Sequence, residues 1–342
     1  MNEKFNNGLK YAGYGLLAAG AFAVAYIRSP IKRAGRPLHY LELANKTVIV
    51  TGASKGIGYH TAEHLARFDM RVILACRNLE DGELAAAKIR EEIQNPNVVA
   101  MECDMSSFTS IRSFAANINK YENRITALVN NAAVLMPEEK YTKDGLEAQM
   151  GVNYFGHFLL TNLLLPRMET SALQPNSRIV NVSSIFSKYG HLNFDDLAGE
   201  YYAGNKLGHF SSKLAMSVFS KDLSKRVARN GINVYAVEPR PSRTQLGRHI
   251  ELPAFEKFLY LITARPPRKG AEGVADAVVN HQLHETTGVL LYNCRIKPWP
   301  EQVLATADDS QRLWRASEVF TGLDKQESED SEEPTLQQAT AS

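Results

Sequence analysis

Thr51-Gly52-Ala53-Ser54-Lys55-Gly56-Ile57-Gly58 follows a run of β-branched residues, Thr47–Thr51, and leads into a helical pattern from about Tyr59. Glycines at 52, 56 and 58 let the chain turn tightly at a strand end and bring backbone N–H groups close to a pyrophosphate, which the helix N-terminus then faces. A glycine triplet alone is weak evidence. Between a strand and a helix start it predicts a dinucleotide-binding turn formed by Gly52, Ser54, Lys55, Gly56, Ile57 and Gly58. Working outward, Arg71–Cys76, Asn97–Glu102, Thr126–Asn130, Arg178–Val182 and Ile232–Val237 read as further strands, and a seventh, Gly288–Tyr292, follows a helix around Ala271–His281. Helical stretches between strands build right-handed βαβ crossovers. The expectation is a single α/β domain over residues 45–320, with a doubly wound parallel sheet.

The second strand ends Ala75-Cys76-Arg77, where a site for NAD(H) commonly puts an acid against the ribose hydroxyls. Arg77 instead offers a planar fork suited to a 2′-phosphate, and Lys55 can approach the same group. The pair favours NADP(H) over NAD(H); the alternative is two solvated surface cations. Asp104, just past the third strand, can accept from an adenine amino group. Asn130 and Asn131 close the fourth strand, where they either hold the cofactor or stabilise the sheet. All of these fall at carboxyl ends of strands, where open α/β sheets take ligands.

The 342 residues are 44% hydrophobic, enough for a substantial core, and the net charge is +2. Acids concentrate from Asp324 onward, so residues 321–342 read as a disordered acidic tail behind a basic body. A basic body suits an anionic cofactor or membrane surface; with no accompanying motif, nucleic acid is not an expected partner. Cys76, Cys103 and Cys294 show no pairing or metal-ligand spacing and read as small buried hydrophobes in a reducing compartment. Tyr11 to Ile27 carries no charge and no proline, and Arg28, Lys32, Arg33 and Arg36 follow it. Residues 1–29 are therefore expected to form a membrane helix, with the body on the cytosolic side, joined by a linker over 30–44. A cleaved signal peptide ending near Ala23-Val24-Ala25 and a buried helix are the rival readings.

Three further stretches carry a family resemblance: Asn153-Tyr154-Phe155-Gly156-His157-Phe158-Leu159-Leu160-Thr161-Asn162-Leu163-Leu164, Leu192-Asn193-Phe194-Asp195-Asp196-Leu197 and Leu290-Leu291-Tyr292-Asn293. With the glycine turn and the strand end Asn181-Val182-Ser183-Ser184, the chain from about Asn45 to Phe320 resembles the short-chain dehydrogenase/reductase superfamily. Within it the chain resembles the retinol dehydrogenase-like group, and is most similar to the X-linked dehydrogenase/reductase branch. The resemblance implies a Rossmann domain and an Asn-Ser-Tyr-Lys tetrad. Asn153 matches the asparagine that helps hold a proton-relay water, Ser184 the carbonyl-polarising serine, and Lys213 the lysine on the nicotinamide ribose. Thr244 matches the residue that bonds the carboxamide.

His209, four residues before Lys213, stands in place of the tyrosine. Residues four apart share a helix face, so His209 and Lys213 are expected to meet in one pocket. A histidine can move protons, but it reaches neutral pH mostly unprotonated. Tyr202-Ala203-Gly204-Asn205-Lys206 also spells Tyr-x-x-x-Lys; the ungapped match of the helix through Lys213 argues against it. Two other departures are Arg240 for a glycine after Pro239, and Ala133 for the glycine of Asn-Asn-Ala-Gly. Leu252, Phe255, Phe258, Leu259 and Ile262 recur at helical spacing, a pattern for either a membrane-facing substrate cover or a core helix.

The resemblance thus implies a membrane-anchored oxidoreductase at the endoplasmic reticulum or a lipid droplet. It would interconvert a lipophilic alcohol of retinoid or polyisoprenoid class with its aldehyde or ketone, using NADP(H), with a homodimer possible through the sheet-flanking helices. The alternative is a catalytically impaired nucleotide-binding sensor or scaffold, because the tyrosine and the glycine are both replaced.

Overall fold

Val48, Ile49 and Val50 are completely buried, with Ile49 in one apolar cluster and Val48 and Val50 in another across the sheet. A strand covered on both faces carries no polar alternation, which explains the continuous apolar run of β1 (Thr47–Thr51). The computed structural model describes residues 43–135, 140–172, 177–239, 264–303 and 307–324, with Ser242 and Leu246. Its other strands are β2 (Arg71–Cys76), β3 (Val98–Glu102), β4 (Ala127–Asn130), β5 (Ser177–Val182), β6 (Ile232–Glu238), β7 (Val289–Tyr292) and β8 (Arg295–Lys297). They form one sheet in the order β3-β2-β1-β4-β5-β6-β7-β8, all parallel except β8 against β7. The order reverses between β1 and β4, so a crevice opens at their carboxyl ends.

Helices cover both faces. α1 (Gly56–Ala66), α2 (Leu79–Ile93) and α6 (Pro267–Val279) bury Leu65, Ile89 and Val274 on one side. On the other, α3 (Phe108–Tyr121), α4 (Gly156–Ala172) and α5 (Lys206–Arg226) bury Phe114, Phe158 and Phe219. The turn Gly151–Phe155 just before α4 is wound as a π-helix, a form that recurs at functional sites.

All seven expected strands are present within a residue at each end. Two elements were absent from the sequence reading. Asn293 and Cys294, at φ +54° and +57°, turn β7 back into the short β8. α7 (Ala307–Thr321) lies across α4 and α5. There Trp314 meets Phe158 edge-on at 5.0 Å, Arg226 lies 3.7 Å over the Trp314 ring, and Tyr154 shares a 2.7 Å hydrogen bond with Ser317.

The expected anchor, most of the linker, the acidic tail beyond Asp324, the 250–262 segment, Arg240 and Thr244 lie outside the described residues. Among the described residues, no helix is long and apolar enough to cross a membrane.

Candidate active site

The glycine turn is built for close approach. Gly52 has φ +63°, and a Cβ there would lie 2.8 Å from the Ala132 Cα; one on Gly58 would lie 2.4 Å from the Gly52 carbonyl oxygen. Any side chain at either position would force the turn open. Lys55 occupies the N-cap of α1 in an extended conformation and makes no side-chain bond to the helix. The first-turn N–H groups therefore lack a capping side chain and carry the positive end of the helix dipole. Ser54 and Ile57 are half-buried beside them, and Lys55 and Arg77 are exposed. The arrangement fits a dinucleotide pyrophosphate, with cations at the adenosine end.

Asp104 is buried at the end of β3. Its carboxylate accepts from the Ser106 N–H at 3.0 Å and hydroxyl at 2.7 Å, and pairs with Lys143 at 2.9 Å. Burial would raise its pKa, but the Lys143 and Ser106 hydrogen bonds outweigh that and hold it below the usual carboxylate range. Lys143 was not foreseen: it comes from a loop 39 residues further on, and it also feels the charge of Arg77. Asn130 sits inside the sheet, donating to Thr161 at 2.9 Å and Asn181 at 2.7 Å, a position that stabilises the sheet. Asn131 reaches the Thr51 carbonyl at 2.8 Å.

At the other end of the crevice, α5 presents Lys213. Its ammonium donates to the Val182 carbonyl at 2.7 Å, and burial pushes its pKa down to about 8. Ser183 bonds the Lys213 carbonyl at 3.1 Å and the Ser217 hydroxyl at 2.6 Å, fastening α5 to the end of β5. Ser184 is only partly buried. Its oxygen accepts from the Phe186 N–H at 3.2 Å, capping the turn Ile185–Tyr189. Phe186 stacks on Phe210 at 5.3 Å, so the serine turn lies against the stretch of α5 that carries His209.

Asn153 is wholly buried in the π-helical turn. Its side-chain oxygen accepts from the Val134 N–H at 2.7 Å, and its amide donates to the Val134 carbonyl at 3.0 Å and the Ser212 hydroxyl at 3.0 Å. Those bonds use both amide hydrogens. The longer approach to His209 Nδ1, 3.4 Å, is then not a donation from Asn153. Nδ1 also lies 3.2 Å from the Val134 carbonyl, which can only accept, so Nδ1 carries the hydrogen. Nε2 is left with a bare lone pair and makes no hydrogen bond among the described residues. His209 is 5% exposed, and burial, helped by the Lys213 charge, pushes its pKa down to about 3. The ring is neutral throughout the physiological range.

Tyr202 is not at this site. Its side chain is fully buried, the hydroxyl donating to the His191 carbonyl at 2.8 Å and accepting from the Asn193 N–H at 2.6 Å. It organises the loop before α5, as the ungapped helix match required. Among the described residues no group of three metal-ligating side chains forms.

A doubly wound sheet with a glycine turn at β1, a histidine and a lysine four residues apart on α5 and a serine at the end of β5 defines a nicotinamide-type oxidoreductase scaffold. Residues 46–253 match the family model for short chain dehydrogenase, and the chain belongs to that family of oxidoreductases. It is 42% identical over 292 residues to retinol dehydrogenase 13 of Mus musculus, covering 82% of this chain and 85% of that protein. It is 36% identical over 283 residues to retinol dehydrogenase 11 of Homo sapiens, covering 83% and 88%. Among solved structures it resembles an uncharacterised protein from Mycobacterium paratuberculosis (TM-score 0.64, 28% identity, 84% of this chain and 98% of that one). It also resembles the RhlG/NADP complex of Pseudomonas aeruginosa (TM-score 0.59, 25% identity, 74% and 97%).

Proposed function

We propose that this protein is an NADP(H)-dependent oxidoreductase that interconverts a lipophilic alcohol, of retinoid or polyisoprenoid class, with its aldehyde or ketone. The observation that carries the reading is the bare Nε2 lone pair of His209, one helical turn from Lys213. The retinol dehydrogenase relatives support the substrate class, and the NADP complex of RhlG together with Arg77, Lys55 and the nearby Lys143 supports the phosphorylated cofactor. Gly52, Ser54, Gly56, Ile57 and Gly58 would hold its pyrophosphate, and Thr244 its carboxamide. When bound, the nicotinamide supplies the hydride acceptor or donor.

The chain's own residues handle the proton. A substrate hydroxyl donates to His209 Nε2, and Ser184 stabilises the charge that develops on the oxygen. Lys213, cationic below about pH 8, adds positive charge beneath the same site. The neutral ring can accept a proton at Nε2 but, with its pKa near 3, holds it only transiently, so the direction of reaction is left to the relative amounts of oxidised and reduced cofactor. We further propose that residues 11–27 anchor the chain in the endoplasmic reticulum or lipid-droplet membrane, with the body facing the cytosol and the lipid-soluble substrate arriving from the bilayer.

The test is an assay of the full chain with NADP⁺ and with NAD⁺ against retinol, a short polyprenol and ethanol. Oxidation of a lipophilic alcohol, absent with ethanol and faster with NADP⁺, is expected. Measurable cofactor affinity with no turnover across that panel would transfer the reading to a nucleotide-binding sensor, which the near-complete burial of His209 would then explain.

A further inference from the structure

His157 is completely buried between the nucleotide turn and the proposed catalytic residues, and neither motif accounts for it. Its Nδ1 lies 3.1 Å from the Asn153 backbone carbonyl and its Nε2 lies 2.9 Å from the Thr51 hydroxyl. A carbonyl only accepts, so Nδ1 carries the hydrogen and Nε2 accepts from Thr51. The Thr51 oxygen is then fully used. Its hydrogen goes to His157 at 2.9 Å rather than to the Val129 carbonyl at 3.4 Å, and its two lone pairs receive the N–H groups of Asn131 and Ala132, each at 2.9 Å.

The bonds form a continuous path. Thr51 ends β1, at the base of the glycine turn. His157 joins it to the Asn153 carbonyl, and the Asn153 side chain clasps Val134 by both its N–H and its carbonyl. That same Val134 carbonyl receives the Nδ1–H of His209. Asn131, Ala132 and Val134 lie on one stretch of chain after β4, so Thr51 and Asn153 hold it from either end. A neutral imidazole suits the junction because it donates on one side of its ring and accepts on the other.

We propose that His157 is a positioning residue of the active site: it ties the floor of the nucleotide turn to the Asn153 carbonyl and so fixes the Val134 carbonyl against which His209 is oriented. This rests on the reading of His209 as the proton acceptor. Burial and the Lys213 charge both keep the His157 ring neutral, as the path requires.

The test combines imidazole ¹⁵N NMR of the full chain, labelled at histidine, with kinetics of His157→Phe and His157→Gln. In the wild type His157 should show the Nδ1–H neutral tautomer and no titration between about pH 5 and 9, the range left clear by its depressed pKa. His157→Phe should move the His209 ring signals. It should also lower kcat by about ten- to hundredfold with little change in the KM for the alcohol, the scale of a slightly misplaced catalytic group. His157→Gln, which can still donate and accept, should recover much of that loss. If His157→Phe does not fold, Thr51→Val breaks the hydroxyl end of the path together with the Asn131 and Ala132 N–H bonds, and should move the signals of both histidines. An Nε2–H tautomer for His157, titration near pH 6.5, or unchanged His209 signals in a folded variant would overturn the proposal. A wild type that binds cofactor but oxidises no alcohol would instead sink the reading of His209, and the NMR signals would still decide the role of His157.

Discussion

His209 is set apart from an ordinary surface histidine by what its two nitrogens can do. Nδ1 is committed to the Val134 carbonyl, so the proton transfer proposed for this ring would fall to Nε2 alone. With its pKa near 3, the ring gives no inflection at pH 6–7 in a rate profile; the inflection expected in the neutral-to-alkaline range is that of Lys213, near pH 8. A kcat profile for alcohol oxidation should therefore be flat from about pH 5 to 7 and bend near 8. The same shifts bear on stability. Both His157 and His209 have folded pKa values far below the unfolded value, so the unfolded chain takes up protons first as pH falls below about 6.5. Stability should drop steadily from there toward pH 3, as a urea midpoint measured against pH would show. At the adenosine end, Arg77→Glu should weaken NADPH binding by about ten- to hundredfold and leave NADH binding level or improved, since it removes the fork proposed to take the 2′-phosphate; fluorescence titration of both cofactors checks it.

Among the elements, the strands were legible because burial on both faces writes them as unbroken β-branched runs, and the glycine turn because its spacing is dictated by backbone approach. α7 was not. Its inward stripe is mixed, with Trp314 and Leu313 beside Ser317 and Thr321, and the hydroxyls of the last two are spent on its own carbonyls. Lys143 beside Asp104 and His157 beneath Asn153 were hidden for another reason: their partners are remote, with Thr51 106 residues from His157. A lone histidine in Gly156-His157-Phe158-Leu159 reads only as a break in an apolar run. Arg178 is a further case, a cation buried within β5 that donates to the Ala277 and Asn280 carbonyls at 3.0 and 2.8 Å. It closes the C-terminal end of α6, where carbonyls lack helical partners. Arg178→Ala should cost about 2–4 kcal/mol by leaving them buried and unpaired, a loss visible in the urea midpoint.

On the scale of the whole molecule, α7 changes what the outer face of α4 and α5 can do. Trp314 packs against both Phe158 and Phe219, and Phe320 against Phe155, so the chain's own C-terminal helix covers one set of the sheet-flanking helices through which a dimer could form. The body should run as a monomer in light scattering, and deletion of residues 307–342 should expose that aromatic patch and drive self-association. The glycine turn and His209 stand at two ends of one hydrogen-bonded frame, and a substitution at His209 leaves the turn's own bonds in place. The most direct measurement is NADP⁺-dependent oxidation of retinol or a polyprenol by the full chain, wild type beside His209→Phe, with NADPH affinity determined for both. The account predicts turnover in the wild type, at least about a hundredfold less in the variant, and nearly equal affinities. Equal turnover in the two proteins, or none in a wild type that binds NADPH, would contradict it.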